Sequence, residues 1–157
     1  MRDKEELRAE LVGRRRALSP DEREAASRAI GEGALAAVEW RSVRTLHVYR
    51  SNAAWGEVDT APLVAAVQAR WPAVSIVHPG IDRDEPVPAE PFDVIVVPVV
   101  GYDREYNRLG LGGGWYDRFL AGQPDARKVG LAYAWALVQE GIPVEPQDVR
   151  LDLIITA

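Results

Sequence analysis

The chain has 157 residues, 47% of them apolar and 27% charged, with a net charge of -5. That is the size and composition of one ordinary globular domain, which excludes collagen-like, disordered and disulfide-scaffold chains. It has no cysteine, so thiol catalysis, Cys-ligated zinc and iron–sulfur clusters are ruled out, and the acidic balance argues against general nucleic-acid binding.

From Lys4 to Ala17 charges alternate with Leu7 and Leu11, and Leu18 continues the spacing, which predicts a first helix. Met1 to Arg16 is too charged for a signal peptide, and no apolar run approaches the roughly 20 residues of a bilayer span, so a cytoplasmic protein without a membrane partner is expected. Ser19-Pro20-Asp21-Glu22 spells a capping box with proline in the first turn, opening a second helix whose stripe is Ala26, Ile30, Ala34, Ala37 and Val38. Arg44 to Arg50 is rich in strand formers, and Ser51 to Glu57 reads as a loop. A third helix is expected between Asp59-Thr60-Ala61-Pro62 and Trp71-Pro72, then a strand at Val74 to His78. Pro79 to Pro91 fits neither period and is a connecting loop.

The unbroken apolar run from Asp93 to Pro98 predicts a strand buried on both faces. After a glycine-rich segment come a helix at Trp115 to Ala121, a strand at Lys128 to Ala132, a short helical piece at Trp135 to Glu140 and a last strand at Leu151 to Ile155. Strands alternating with helices make a single α/β domain over 1–157, with a mostly parallel sheet covered on both faces.

The segment from Asn107 to Arg118 contains four glycines between Gly110 and Gly114. Such a run costs backbone entropy and is tolerated where φ must be positive or where amides must approach something closely. It follows a buried strand and opens a helix, the setting in which amides and the helix dipole bind phosphate, and Arg108 adds charge. It lacks the closing Lys-Ser/Thr of a Walker loop and the spacing of the dinucleotide fingerprint, so a turn that needs glycine merely to pack is the plainer alternative. Asp117 lies in the first turn of the helix, where the dipole alone stabilises a carboxylate; beside a triphosphate it would instead suit Mg²⁺, with Asp148 as a second candidate.

Lys4 and Arg8 share a helix face that Arg15 extends, normally a solvated stripe with Glu5, Glu6 and Glu10 as partners, otherwise a phosphate clamp. Glu57 has no evident structural role, whereas Asp59 and Thr60 are explained by capping. The two histidines lack metal-ligand spacing and read as structural, and no serine-hydrolase elbow occurs.

These places, in order, resemble the 5-formyltetrahydrofolate cyclo-ligase (5,10-methenyltetrahydrofolate synthetase) family: Lys4 to Arg8 with the arginines that follow, Glu57-Val58-Asp59-Thr60, Asn107 to Asp117, and Ile142 to Asp148 with Asp152 to Thr156. The resemblance implies a three-layer α/β/α sandwich, active as a monomer or weak homodimer. It further implies an enzyme that uses ATP and Mg²⁺ to turn 5-formyltetrahydrofolate into 5,10-methenyltetrahydrofolate, ADP and phosphate.

Carried over by position, Lys4, Arg8, Arg108, Leu109, Gly110, Gly112, Gly113, Gly114 and Tyr116 would hold ATP. Arg108 and Tyr116 would be catalytic, Glu57, Trp115 and Tyr116 would meet the folate, and Asp117 and Asp148 would serve Mg²⁺. Tyr106 and Val99 replace glycines usual in the family, and the 79–92 segment is shorter than usual. That shortening leaves room for another pterin-like or thiamine-related acceptor, and a nucleotide-binding regulatory module without turnover is the third reading.

Overall fold

The computed structural model describes residues 1–81 and 84–157. Positions 82 and 83 of the expected 79–91 connection lie outside the described residues. The helices are α1 (Lys4–Arg16), α2 (Pro20–Ala37), α3 (Ala61–Arg70) and α4 (Trp115–Ala121). Asp3 caps α1 by accepting from the Glu6 amide, and the Ser19/Glu22 capping box is present in both directions at α2, which satisfies helix-end donors that would otherwise lack partners.

Five strands, β1 (Thr45–Val48), β2 (Ser75–Val77), β3 (Val94–Pro98), β6 (Arg127–Ala132) and β7 (Leu153–Thr156), form one parallel sheet in the order β2-β1-β3-β6-β7. The pairs β1–β2 and β3–β6 lead away from each other, so right-handed crossovers put α3 and α4 on opposite faces. The centre of the sheet is apolar on both sides: Leu46, Ile95, Val97 and Val129 are fully buried. α2 lies close to β7, where a Cβ on Gly33 would come within 2.8 Å of Ile155. On the α4 side, His47 sits in an aromatic nest with ring centroids 4.7 Å from Phe119 and 5.2 Å from Phe92. The expected three-layer α/β/α arrangement is thus what the chain adopts.

Two local expectations are corrected. The helical piece at Trp135 to Glu140 is only a 3-10 turn at Ala134–Ala136, after which Leu137 bridges Tyr102; the edge offers a strand partner that outweighs helical periodicity. The glycine-rich segment is preceded by an antiparallel hairpin, β4 (Gly101–Tyr102) and β5 (Arg108–Leu109), that periodicity does not reveal because each strand has only two residues. Its turn is organised by the buried Asp103 carboxylate, which accepts from the amides of Glu105, Asn107 and Ile142 and from the Asn107 side chain. Burial pushes that carboxyl upward, but these donors outweigh it and leave its pKa below the usual value. Tyr106 takes φ 66°, a left-handed conformation that costs an L-residue roughly 1–2 kcal/mol.

α1 packs against this hairpin through a second small core of Leu7, Leu11, Val100, Leu109, Val138 and Ile142. The packing brings the first helix to the ends of β1 and β3, where the site lies.

Candidate functional site

In an open parallel sheet, the crevice for ligands opens outside the carboxyl ends of the strands where strand order reverses. Here that point lies between β1 and β3. Two cavities occupy it, one of about 1120 Å³ and one of about 360 Å³, sharing Glu57, Pro98, Trp115 and Tyr116 as a common wall.

Every residue that the resemblance assigns to the site lines the larger cavity: Lys4, Arg8, Glu57, Arg108 to Gly110, Gly112 to Asp117, and Asp148. The hairpin delivers Arg108, whose Nη1 donates to the Pro98 carbonyl at 3.0 Å and whose Nη2 lies 3.8 Å from Asp117 Oδ1. Its Nε is buried without a partner among the described residues. Burial pulls the Arg108 guanidinium below its ordinary pKa, opposed by Asp117, Tyr116 and Asp148 and reinforced by Arg8. A buried cation with an unused donor suits an anion brought in by a ligand.

The glycines have distinct geometric reasons. Gly112 and Gly114 take φ of 108° and 73°, conformations that side chains disfavour. A Cβ at Gly113 would meet nothing within 4 Å among the described residues, so its lack of a side chain leaves open space on the cavity wall. Backbone conformation accounts for Gly112 and Gly114, and the Arg108 Nη1 that would lie 2.8 Å from a Cβ accounts for Gly110, but neither reason applies to Gly113. Two carbonyls of the loop are already engaged, Gly110 accepting from Arg8 Nε at 2.8 Å and Gly113 from Arg118 Nη1 at 3.1 Å.

The solvated-stripe reading of α1 is corrected. Lys4 and Arg8 are half-buried, and Arg15 is only 2% exposed. Lys4 Nζ lies 2.5 Å from Asp148 Oδ2 and 3.4 Å from Glu145 Oε1. Arg15 Nε donates to the Trp55 carbonyl, and burial lowers its pKa against the opposing pull of Glu57 and the Tyr133 and Tyr49 hydroxyls. The i, i+4, i+11 spacing put Arg15 on the same face as Lys4 and Arg8; that face meets the cavity because the apolar stripe of α1 is turned into the second core.

Asp117 does not cap its helix. Its Oδ1 accepts from the Val149 amide at 3.2 Å, tying α4 to the segment before β7. Asp148 accepts from the Glu145 amide as well as from Lys4, and although burial pushes its carboxyl up, these donors with the charges of Lys4 and Arg108 hold its pKa below the usual value. Among the described residues no group of three His, Cys, Asp or Glu could hold a metal ion. The donor set fits Mg²⁺ in another way: this ion takes one or two carboxylates and completes its shell with phosphate oxygens and water, and two carboxylates face the cavity that the glycine loop lines.

Glu57, which the sequence left without a structural role, has one. Its Oε1 accepts from the Asn52 amide, and its carbonyl accepts from Arg23 Nε. Trp115 Nε1 donates to the Glu85 carbonyl, tying together two residues that line the smaller cavity. The Asp103 turn behind Arg108, the burial of Arg15 and the smaller cavity are geometry that sequence reasoning missed or undervalued. Only the helical phase of Arg15 gave a signal for any of them.

The protein-family model described as the 5-formyltetrahydrofolate cyclo-ligase family matches residues 53–157. The chain is 39% identical over 88 residues to the mitochondrial 5-formyltetrahydrofolate cyclo-ligase of Arabidopsis thaliana, covering 49% of this chain and 32% of that protein. It is 35% identical over 85 residues to the Escherichia coli K12 enzyme of the same name, covering 53% and 46%. These matches thus span less than half the length of either curated relative.

Among solved structures, it resembles a 5,10-methenyltetrahydrofolate synthetase of Aquifex aeolicus with TM-score 0.79 and 28% identity, over 98% of this chain and 89% of that one. It also shares its fold with a 5,10-methenyltetrahydrofolate synthetase of Mycoplasma pneumoniae, with TM-score 0.81 and 24% identity over 98% of each chain. With the family model matched from the loop after β1 through β7, a span that supplies the glycine loop and most of the cavity around it, the chain belongs to the 5-formyltetrahydrofolate cyclo-ligase family.

Proposed function

We propose that this protein binds ATP with Mg²⁺ in the larger cavity and 5-formyltetrahydrofolate in the smaller one, and closes the substrate to 5,10-methenyltetrahydrofolate. The observation that carries this reading is the junction of the cavities: the wall shared by the glycine-loop cavity and its smaller neighbour is built by Glu57, Pro98, Trp115 and Tyr116. Two ligands seated on either side of that wall are held within reach of each other, the main demand of a phosphoryl transfer.

The reaction needs no protein nucleophile, which suits a chain without cysteine. The formyl oxygen attacks the γ-phosphorus, the bond to the β,γ-bridging oxygen breaks, and ADP leaves. N10 then attacks the formyl carbon and loses its proton, and the carbon–oxygen bond breaks to release inorganic phosphate as the ring closes.

Lys4, Arg8 and Arg108 neutralise phosphate charge while Leu109 and the Gly110 to Gly114 backbone present amides to it. Arg108 acts catalytically because its buried guanidinium meets the charge that builds up during transfer. Tyr116, packed 5.7 Å beneath Arg108 by ring centroid, fixes that guanidinium and faces both ligands. Asp117 and Asp148 would hold Mg²⁺, which when bound supplies charge neutralisation on the phosphate oxygens. Glu57 and Trp115 receive the pterin, the carboxylate by hydrogen bonds and the indole by its face.

The test is direct. The purified protein is incubated with ATP, Mg²⁺ and 5-formyltetrahydrofolate, and the methenyl product is followed in the near ultraviolet beside ADP release. Product formed in step with ADP supports the reading; nucleotide binding without ADP release under any folate overturns it.

A further inference from the structure

The smaller cavity contains a feature that phosphoryl transfer does not use. Arg50 lines it, is exposed, and is the one Lys or Arg among the described residues of its wall. Among the described residues it has no hydrogen bond or ion pair, while its backbone is held on both sides. Before it, the Tyr49 amide donates to the Val96 carbonyl and the Tyr49 hydroxyl to Val58. After it, Ser51 Oγ donates to Asp59, and the Asn52 amide donates to Glu57. A cationic side chain without a partner among the described residues is thus mounted on a fixed backbone at the rim of a site, an arrangement that loses little entropy of the chain when an anion arrives.

The other unexplained residue on that rim is Ile81, which is 96% exposed. A cavity of about 360 Å³ is at the small end for a bound ligand. It suits a bicyclic pterin and leaves the p-aminobenzoylglutamate of a folate to extend across the rim. There the benzoyl ring meets an apolar side chain, and the two carboxylates meet a guanidinium. The net charge of -5 and the carboxylates of Glu57 and Glu85 on the same wall repel a dianion, and Arg50 supplies the local positive charge that offsets them.

We propose that Arg50 binds the glutamate carboxylates of the folate, which makes it the residue that distinguishes tail-bearing folates from free pterins. The inference rests on the smaller cavity being the folate site.

The test measures dissociation constants by tryptophan fluorescence quenching for 5-formyltetrahydrofolate and for a 5-formyltetrahydropterin without the tail, on the wild type, R50A, R50E and R50K. R50A is expected to weaken the folate up to about fivefold, the upper range for an exposed ion pair, R50E to weaken it more, and R50K to retain most of the affinity. The tail-less pterin is expected to bind all four alike. Equal weakening of both ligands, or of neither, overturns the role of Arg50 while leaving the pterin site standing. A wild type that binds neither ligand overturns the site and this inference together.

Discussion

Lys4 and Asp148 stand 144 positions apart in the chain and meet at 2.5 Å, joining the first turn of α1 to the segment before β7 across the mouth of the larger cavity. Both side chains are largely shielded, 15% and 17% exposed, so this pair is screened less than a surface ion pair. It links the one helix lying wholly before the β1 loop and lining the cavity to the rest of the site.

The pair has a pH signature. Because the folded-state pKa of Asp148 is depressed, its contribution is complete above the unfolded carboxyl value and is lost as pH falls through the folded value. K4A is expected to destabilise the protein by about 1 kcal/mol at neutral pH and to show a smaller further loss than the wild type in acid below about pH 4. Urea unfolding of both proteins across that range measures it, and parallel pH profiles would remove the pair from the account.

The glycines of the loop separate packing from ligand space. Gly114→Ala places a side chain at φ 73° with Arg118 Nη1 3.2 Å away and is expected to cost about 1 kcal/mol of stability. Gly113→Ala meets open space and is expected to leave the melting temperature unchanged while weakening ATP binding at least tenfold. If calorimetric titration shows unaltered ATP affinity in Gly113→Ala, the open wall is not where phosphate sits.

Removing Arg108 tests transition-state stabilisation. Arg108→Ala is expected to lower kcat for methenyl formation by roughly 10²–10³, the usual effect of deleting a preorganised donor. Arg108→Lys should recover only part of it, since a single ammonium cannot both reach Pro98 and use the donor now free on Nε. Steady-state assays with ATP varied at saturating folate decide it; a change in KM alone would make Arg108 a binding residue only.

His47 gives a second pH signature, away from the site. Burial, with a smaller push from His78 and against the pull of Glu90, lowers its pKa from 6.5 to about 4. Both ring nitrogens are buried without partners among the described residues, so the nest holds the neutral form. The unfolded chain therefore binds more protons between those two values, and stability falls as pH drops through that window, by up to about 3 kcal/mol at pH 4. His47→Leu should flatten the unfolding profile between pH 6.5 and 4, as followed by circular dichroism; an unchanged slope would assign the acid sensitivity to the carboxylates.

The sequence by itself determined the elements with strong local signals. The Ser19/Glu22 capping box, the apolar β3 run and the alternation of helices with strands each express a short-range preference that tertiary packing reinforced. It also marked most residues of the site, because glycine runs and clustered charges are costly unless something uses them. Tertiary structure decided what those residues touch. Whether Arg15 is solvated or buried depends on which way α1 rolls onto the hairpin core, and whether Asp117 meets only its helix dipole or also ties down Val149 depends on a segment 32 residues away. The two-residue strands β4 and β5 and the smaller cavity exist only through long-range contacts, so no periodicity along the chain encodes them.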